Sequence, residues 1–124
     1  MRSNLEAHLV GDVFDEGGKA VAFLGDRDEE ALLEDEAALY AVERAVMNVT
    51  EAIIQLERGT YPGRFEELFP GQSFDRIRRL GNATRHDYTG VDADEVALLV
   101  RTLITELRDR AEQLLASHRR LRGG

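Results

Sequence analysis

The sequence predicts an all-α protein, a single antiparallel helical bundle that spans residues 1–124. Apolar residues recur every three or four positions in two long segments, and the alternation that is typical of half-buried strands is absent. The first segment contains Leu39, Val42, Val46, Val49, Ile53 and Leu56. The second contains Val96, Val100, Leu103, Leu107, Ala111 and Leu114. A chain of 124 residues is long enough for one domain with one core.

Capping signals set the expected ends of the helices in the first half. Ser3 or Asn4 can cap a first helix, in which Gly17-Gly18 marks either a bend or a close helix contact. Asp28 is expected to cap a short helical turn that includes Leu33. The central helix follows and carries the first apolar segment. Alanines run alongside that segment, which lets another helix approach closely.

The second half is expected to hold two further helices. A loop-rich section over 59–71 contains both prolines. The next helix is expected to begin at the cap residue Ser73 and to reach Tyr88. Asp92 is expected to cap the last helix, which is amphipathic for about five turns. Residues 118–124 form a basic tail without an apolar stripe, and we expect this tail to be frayed.

Charge is distributed unevenly along the chain, whose formal net charge is −8. Residues 1–57 carry 14 acidic and 4 basic side chains, whereas residues 58–124 carry 10 acidic and 12 basic ones. The overall balance argues against a nonspecific nucleic-acid coat protein. An arginine-rich half can still bind a phosphate locally. The alternative explanation, that the acidic residues of the first half only form a solvated surface, accounts for the uneven charge equally well.

Several function classes lack the residues that they need. The chain has no cysteine, which excludes a disulfide framework or a zinc–thiolate site and is typical of a reducing cytosol. We expect a cytoplasmic protein with no membrane contact, because there is neither a signal peptide nor an apolar stretch of about 20 residues. No histidine follows a glutamate at the Glu-x-x-His spacing, and no phosphate-binding glycine loop occurs. We therefore expect neither a metal nor a cofactor.

One side of the helix that begins at Ser73 carries residues suited to phosphodiester chemistry. At about 100° per residue, Asp75, Arg79, Asn82 and His86 fall together, opposite the apolar stripe. Histidine can carry a proton in either direction near neutral pH, and a guanidinium can hold a phosphate. RNA cleavage needs little more, since the substrate's own 2′-hydroxyl attacks the phosphate. The alternative is that Arg79 and His86 only solvate the bundle or pair with acidic side chains.

The segment R-L-G-N-A-T-R-H-D-Y (79–88) resembles the signature of HEPN domains, an arginine followed four to six residues later by histidine. Its H-D-Y ending is similar to that of the HepT-type toxins. The flanking segments A-V-E-R-A-V-M-N-V-T-E-A (41–52) and Y-T-G-V-D-A-D-E-V (88–96) extend the resemblance over most of the chain. The resemblance implies a HEPN-like homodimeric bundle and a metal-independent endoribonuclease with its Arg/His site at the dimer cleft.

The resemblance also implies roles for individual residues. His86 would act as general acid or base, Arg79 would bind the scissile phosphate, and Asn82 would orient one of them. Arg76 and Arg85 would guide the RNA backbone. The HepT pattern R-N-x-x-x-H-x-Y has an arginine at the place that Gly81 occupies here. Arg79, with six residues between it and His86, still satisfies the looser pattern of the superfamily.

Partners are implied in the same way. In HepT-type toxins the tyrosine matching Tyr88 receives AMP from an MNT-type nucleotidyltransferase antitoxin, and the added charge would repel RNA. Arg44 and Glu51 match polar positions in the family's second long helix. They either reach toward the helix that begins at Ser73, called the motif helix below, or are ordinary surface charges.

Two functions remain open: a ribonuclease toxin, or a HEPN domain that has lost catalysis and keeps only nucleotide or partner binding.

Overall fold

The computed structural model describes residues 1, 3–86 and 93–121, and for residues 82–86 it describes the backbone alone. Helices make up nearly all of these ranges, and no strand occurs within them. The prediction of an all-α fold is confirmed.

The first helix, α1, spans Asn4–Leu24 and has the cap that the sequence predicts. The backbone N–H of Glu6 donates to Ser3 Oγ at 3.2 Å. Gly25 ends the helix with a φ of 54°, and its N–H donates to the carbonyl of Val21 at 2.9 Å. A positive φ of this kind is easily adopted by glycine, which explains the residue at this position.

Two carboxylates cap the next two helices. Helix α2 spans Glu29–Glu34, and Asp28 Oδ1 accepts from the N–H of Ala31 at 2.8 Å. The long helix α3 spans Glu36–Gly59, and Asp35 caps it in the same way. The predicted apolar segment of α3 lies in the core: Val42, Val46, Val49, Ile53 and Leu56 are buried, and Leu39 packs against them.

Helices α1 and α3 run antiparallel. A side chain at Gly59, the last residue of α3, would touch Leu5 at the start of α1. Further along, Asn48 Nδ2 donates to Glu16 Oε2 at 3.2 Å. Residue numbers therefore rise along α1 as they fall along α3, which is the arrangement that the sequence predicts for neighbouring helices.

The predicted last helix is interrupted by a wider turn. Helix α6 spans Ala93–Leu99, a π-helical segment spans Val100–Ile104, and helix α7 spans Thr105–Leu121. Within the π-helical segment, the hydroxyl of Thr105 donates to the carbonyl of Val100 at 2.8 Å. The same carbonyl also accepts from the backbone N–H of Thr105, the bond over five residues that is typical of a π-helical turn.

Helix α7 packs against α1 where Gly17 removes a side chain. A Cβ at Gly17 would lie 3.2 Å from Arg108 Cβ, so the glycine permits a close helix contact, one of the two predicted alternatives. The helix continues through Leu121, whereas the sequence predicts a frayed tail from His118 onward. Residues 122–124 of that tail lie outside the described residues.

The connection between α3 and the motif helix is held by two carboxylates. It contains the short helix α4, Arg64–Leu68. Glu57 of α3 accepts from the N–H groups of Gly63 at 3.1 Å and Phe65 at 3.0 Å, which satisfies donors at the start of α4. Glu6 of α1 accepts from Arg64 Nε at 2.8 Å and Nη2 at 2.9 Å, and both residues of this ion pair are buried. This loop-rich section is therefore firmly attached to the bundle.

Candidate active site

The motif helix, α5, spans Phe74–His86. Ser73 is its cap, since its Oγ accepts from the backbone N–H of Arg76 at 3.3 Å. Ile77 is buried, and Phe74 and Leu80 pack against the core, as the predicted apolar stripe requires. Tyr88, where the sequence predicts the end of this helix, lies outside the described residues, as does the predicted cap Asp92.

Helix α5 lies antiparallel to α3. The Phe74 ring lies 6.3 Å from the Phe65 ring, at the end of the bundle where α3 finishes. Seven residues later, Gly81 faces Thr50 and Ile54 in the middle of α3. At about 1.5 Å per residue, the C-terminal end of α5 then lies at about the level of Met47.

Gly81 belongs to the buried side of α5. A Cβ at this position would lie 3.3 Å from Thr50 Oγ1 and 3.7 Å from Ile54 Cδ1. On an ideal helix, position 81 lies about 140° around the axis from His86, whereas Arg79 lies only about 20° away. A side chain at position 81 would therefore start from the packed interface with α3. Arg79 starts from the same side of the helix as the histidine.

The described part of the predicted active face is exposed and strongly charged. Asp75 Oδ1 accepts from Arg78 Nη2 at 2.7 Å, and Asp75 Oδ2 accepts from Arg79 Nη2. These hydrogen bonds, first that from Arg78 and then that from Arg79, hold the pKa of the Asp75 carboxyl below its usual range. The Arg79 side chain is nevertheless 71% exposed, so most of its guanidinium is accessible to a ligand.

The other predicted site residues divide into two groups. Arg76 and Arg44 are exposed, and Glu51 is half-buried and accepts from Gln55 Nε2 at 3.4 Å. The remaining four, Asn82, Arg85, His86 and Tyr88, have side chains outside the described residues, although the first three lie at positions within α5. The backbone thus places positions 79, 82 and 86 on one side of one helix, and their predicted roles stay predictions.

Glu43 is a candidate that the sequence reasoning did not select. It lies seven residues before Thr50 on α3 and hence on nearly the same side of the helix, the side on which α5 packs. It is half-buried, and its burial raises the pKa of its carboxyl. A carboxyl that is partly desolvated near a proposed site of proton transfer is a recognised functional signal. Its place on the helix wheel, beside the apolar segment, could have identified it.

We expect Glu43→Gln to stabilise the fold at pH 7. The pKa of Glu43 is higher in the folded than in the unfolded chain, so its charged form is penalised by folding at every pH above both values. The gain should be small, because the residue is only partly buried and solvent still screens its charge. It should shrink as the pH falls through about 4.5, the ordinary value of the group. Urea unfolding at pH 7 and pH 4 measures both effects.

Glu112→Gln on the exposed side of α7 is the matched control, with the same change of charge. An equal gain in both variants would mean that the acidic net charge of the chain, and not the burial of Glu43, explains the result.

Metal-binding clusters are absent from the part of the chain that the structure describes. Within the same ranges, no helix is both long enough and apolar enough to cross a membrane.

A family model described as "Ribonuclease HepT-like" matches residues 16–114. The match begins in the second half of α1, includes the whole of α5 and ends within α7. No curated protein and no solved structure matches the chain.

Proposed function

Because the chain belongs to the ribonuclease HepT-like family, we propose that it is a metal-independent endoribonuclease and the toxin of a toxin–antitoxin pair. The observation that carries the reaction is the exposed side of α5, where Arg79 presents an accessible guanidinium on the same side of the helix as position 86. We place this activity in the cytoplasm, where RNA is available and a chain without cysteine needs no oxidising environment.

The proposed reaction uses one acid, one base and a cation. The 2′-oxygen of RNA forms a bond to the adjacent phosphorus and loses its proton to a base, while the bond from phosphorus to the 5′-oxygen breaks and that oxygen takes a proton from an acid. His86 supplies the base or the acid, and Arg79 offsets the charge that develops on the phosphoryl oxygens. Asn82 orients one of these groups, and Arg76 and Arg85 guide the RNA backbone. The products are a 2′,3′-cyclic phosphate and a 5′-hydroxyl.

A single copy of the chain supplies only one such histidine. We therefore propose a homodimer in which the α5 helices of two copies face one cleft, so that one His86 acts as base and the other as acid. A partly exposed stripe on α3 next to α5 supports this arrangement. It consists of Tyr40 and Arg44, which are exposed, and of Met47 and Glu51, which are half-buried. Tyr40 is 63% exposed, and a partly apolar stripe of this kind is suited to contact with a second copy.

Tyr40→Asp is expected to dissociate the dimer. A carboxylate in the proposed interface would be desolvated without a partner, and at 63% exposure the tyrosine contributes little to the fold of the single chain. Sedimentation at micromolar concentration should show the wild type as a dimer and the variant as a monomer with reduced RNA cleavage. Leu33→Asp on α2 is the matched control, because Leu33 is 58% exposed and lies outside the stripe. A wild type that sediments only as monomer would contradict the dimer.

The proposed partner is an MNT-type nucleotidyltransferase antitoxin that attaches AMP to Tyr88. Tyr88 follows His86 by two residues, so an added phosphate there would bring negative charge close to the proposed phosphate site. Arg44 and Glu51 are proposed as supporting residues, because the α3 stripe on which they lie adjoins α5. Incubating the chain with its partner and ATP, and then locating a bound AMP by mass spectrometry, tests the modification.

Gly81 favours a second candidate, a HEPN domain that has lost catalysis and keeps only nucleotide or partner binding. The position that carries arginine in the family pattern is packed against Thr50 here, and it contributes no cation.

Cleavage of a fluorescent RNA in EDTA by the purified, unmodified wild-type protein separates the two candidates. We expect cleavage that leaves 2′,3′-cyclic phosphate ends and does not require a metal. A well-folded wild type, shown by mass spectrometry to carry no AMP, that leaves the RNA intact would instead support the second candidate.

A further inference from the structure

We propose that Asp75 is the resting counter-ion of Arg79 and that its carboxylate must be displaced before the guanidinium can hold an RNA phosphate beside position 86. This inference rests on the proposed function, since it describes how the same phosphate site is kept occupied in the absence of RNA.

The direction of the Arg79 side chain carries the inference. Asp75 lies one helical turn before Arg79, and Arg79 Nη2 donates to Asp75 Oδ2. The guanidinium therefore lies toward the start of α5. Position 86 is in the opposite direction, about 10 Å further along the axis. A phosphate held between Arg79 and His86 requires the arginine to leave Asp75 and extend toward the C-terminal end of the helix.

The geometry of the carboxylate makes this exchange easy. Asp75 uses one oxygen for each arginine, so Oδ1 keeps its hydrogen bond to Arg78 Nη2 at 2.7 Å when Arg79 departs. Arg79 in turn exchanges a carboxylate for a phosphate, two anions that fit its planar fork in similar ways. All three side chains are at least 45% exposed, so the exchange needs only rotamer changes at the surface.

The counter-ion also affects which ligands bind well. The carboxylate of Asp75 is ionised at neutral pH, like that of any exposed aspartate, so it competes with every incoming anion. A single small anion gains little by replacing a carboxylate that is already in place. An RNA strand brings further phosphates for neighbouring cations such as Arg76, and these additional contacts offset the lost ion pair. Asp75 is thus a positioning residue that favours extended polyanions.

The test measures binding separately from cleavage. The probe is a fluorescent 2′-O-methyl RNA of mixed sequence, which cannot be cleaved because it lacks the free 2′-hydroxyl, and binding is followed by anisotropy. Asp75→Asn is expected to lower the Kd about two- to fivefold, the range that corresponds to an exposed ion pair. Asp75→Glu keeps the charge and its reach to Arg79, so its Kd should equal that of the wild type.

Two controls test whether the effect acts through Arg79. Asp109→Asn removes the same charge from another arginine–aspartate pair, in which Asp109 is exposed and its partner Arg108 on α7 is half-buried, and should leave the Kd unchanged. In an Arg79→Ala background, Asp75→Asn should no longer improve binding.

The outcomes separate this inference from the proposed function. Tighter binding by Asp75→Asn, lost in the Arg79→Ala background, supports the inference even if the wild type fails to cleave ordinary RNA. Unchanged or weaker binding by Asp75→Asn, or an equal improvement in Asp109→Asn, overturns it even if the wild type is an active ribonuclease. Failure of the wild type and Asp75→Asn alike to bind the probe overturns both.

Discussion

Replacing His86 by alanine should reduce RNA cleavage about 10²- to 10⁴-fold, the usual contribution of a positioned acid or base. Arg79→Ala should cost at least about 10²-fold, because it removes the cation that offsets charge on the phosphoryl oxygens. Growth inhibition on expression should disappear in both variants. The assay is cleavage of a fluorescent RNA in EDTA, and circular dichroism checks that each variant keeps its helices.

Arg76→Ala supplies the comparison for these two variants. Arg76 is also an exposed arginine of α5, but it lies about 60° around the helix from Arg79. The Arg76→Ala variant is expected to weaken RNA binding mildly, since a single contact to the RNA backbone adds to the affinity but is not essential for binding. Full activity in Arg79→Ala would contradict the assignment of the phosphate ligand and would point to Arg85 or to a residue of the second copy.

The position of Gly81 explains why Arg79 is the arginine to test. Glycine at position 81 allows α5 to approach Thr50 closely, and any longer side chain would have to emerge from that contact. Arg79 needs no such rearrangement, because its side chain already lies in solvent. If the ribonuclease is active, the cation has therefore moved by two residues relative to the family pattern.

Local signals predicted most of the fold. The caps Ser3, Asp28 and Ser73 accept from backbone N–H groups three residues later, so the sequence alone reveals them. The apolar segment of α3 is equally local, because helical periodicity decides which side of a helix is buried. The same reasoning identified the side of α5 that carries Arg79 and position 86.

Features that depend on distant parts of the chain were not predictable in this way. The π-helical segment keeps an apolar residue at each expected position, so the periodicity of the sequence does not reveal its wider turn. The place of Glu43 beside the apolar segment is visible in the sequence, but its burial beside the surface on which α5 packs is not. The ion pair between Glu6 and Arg64 joins residues 58 positions apart, and no short pattern predicts such a contact.

That ion pair is expected to be essential to the stability of the fold. Glu6 and Arg64 are 2% and 7% exposed, and two hydrogen bonds join them at 2.8 and 2.9 Å. Arg64→Met removes the cation and leaves a carboxylate buried without its partner, which costs about 3–5 kcal/mol. This is a large share of the roughly 5–15 kcal/mol that stabilises a typical domain. Urea unfolding followed by circular dichroism measures the loss.

Two further variants identify the origin of that loss. Glu67→Ala removes the exposed partner of the same arginine, 3.8 Å away, and should cost less than about 1 kcal/mol. Glu6→Leu combined with Arg64→Met replaces the whole pair by apolar side chains and should recover most of the stability, because no buried charge then lacks a partner. A double variant as unstable as Arg64→Met alone would contradict this account. It would show that Arg64 stabilises α4 through its aliphatic packing and not through its charge.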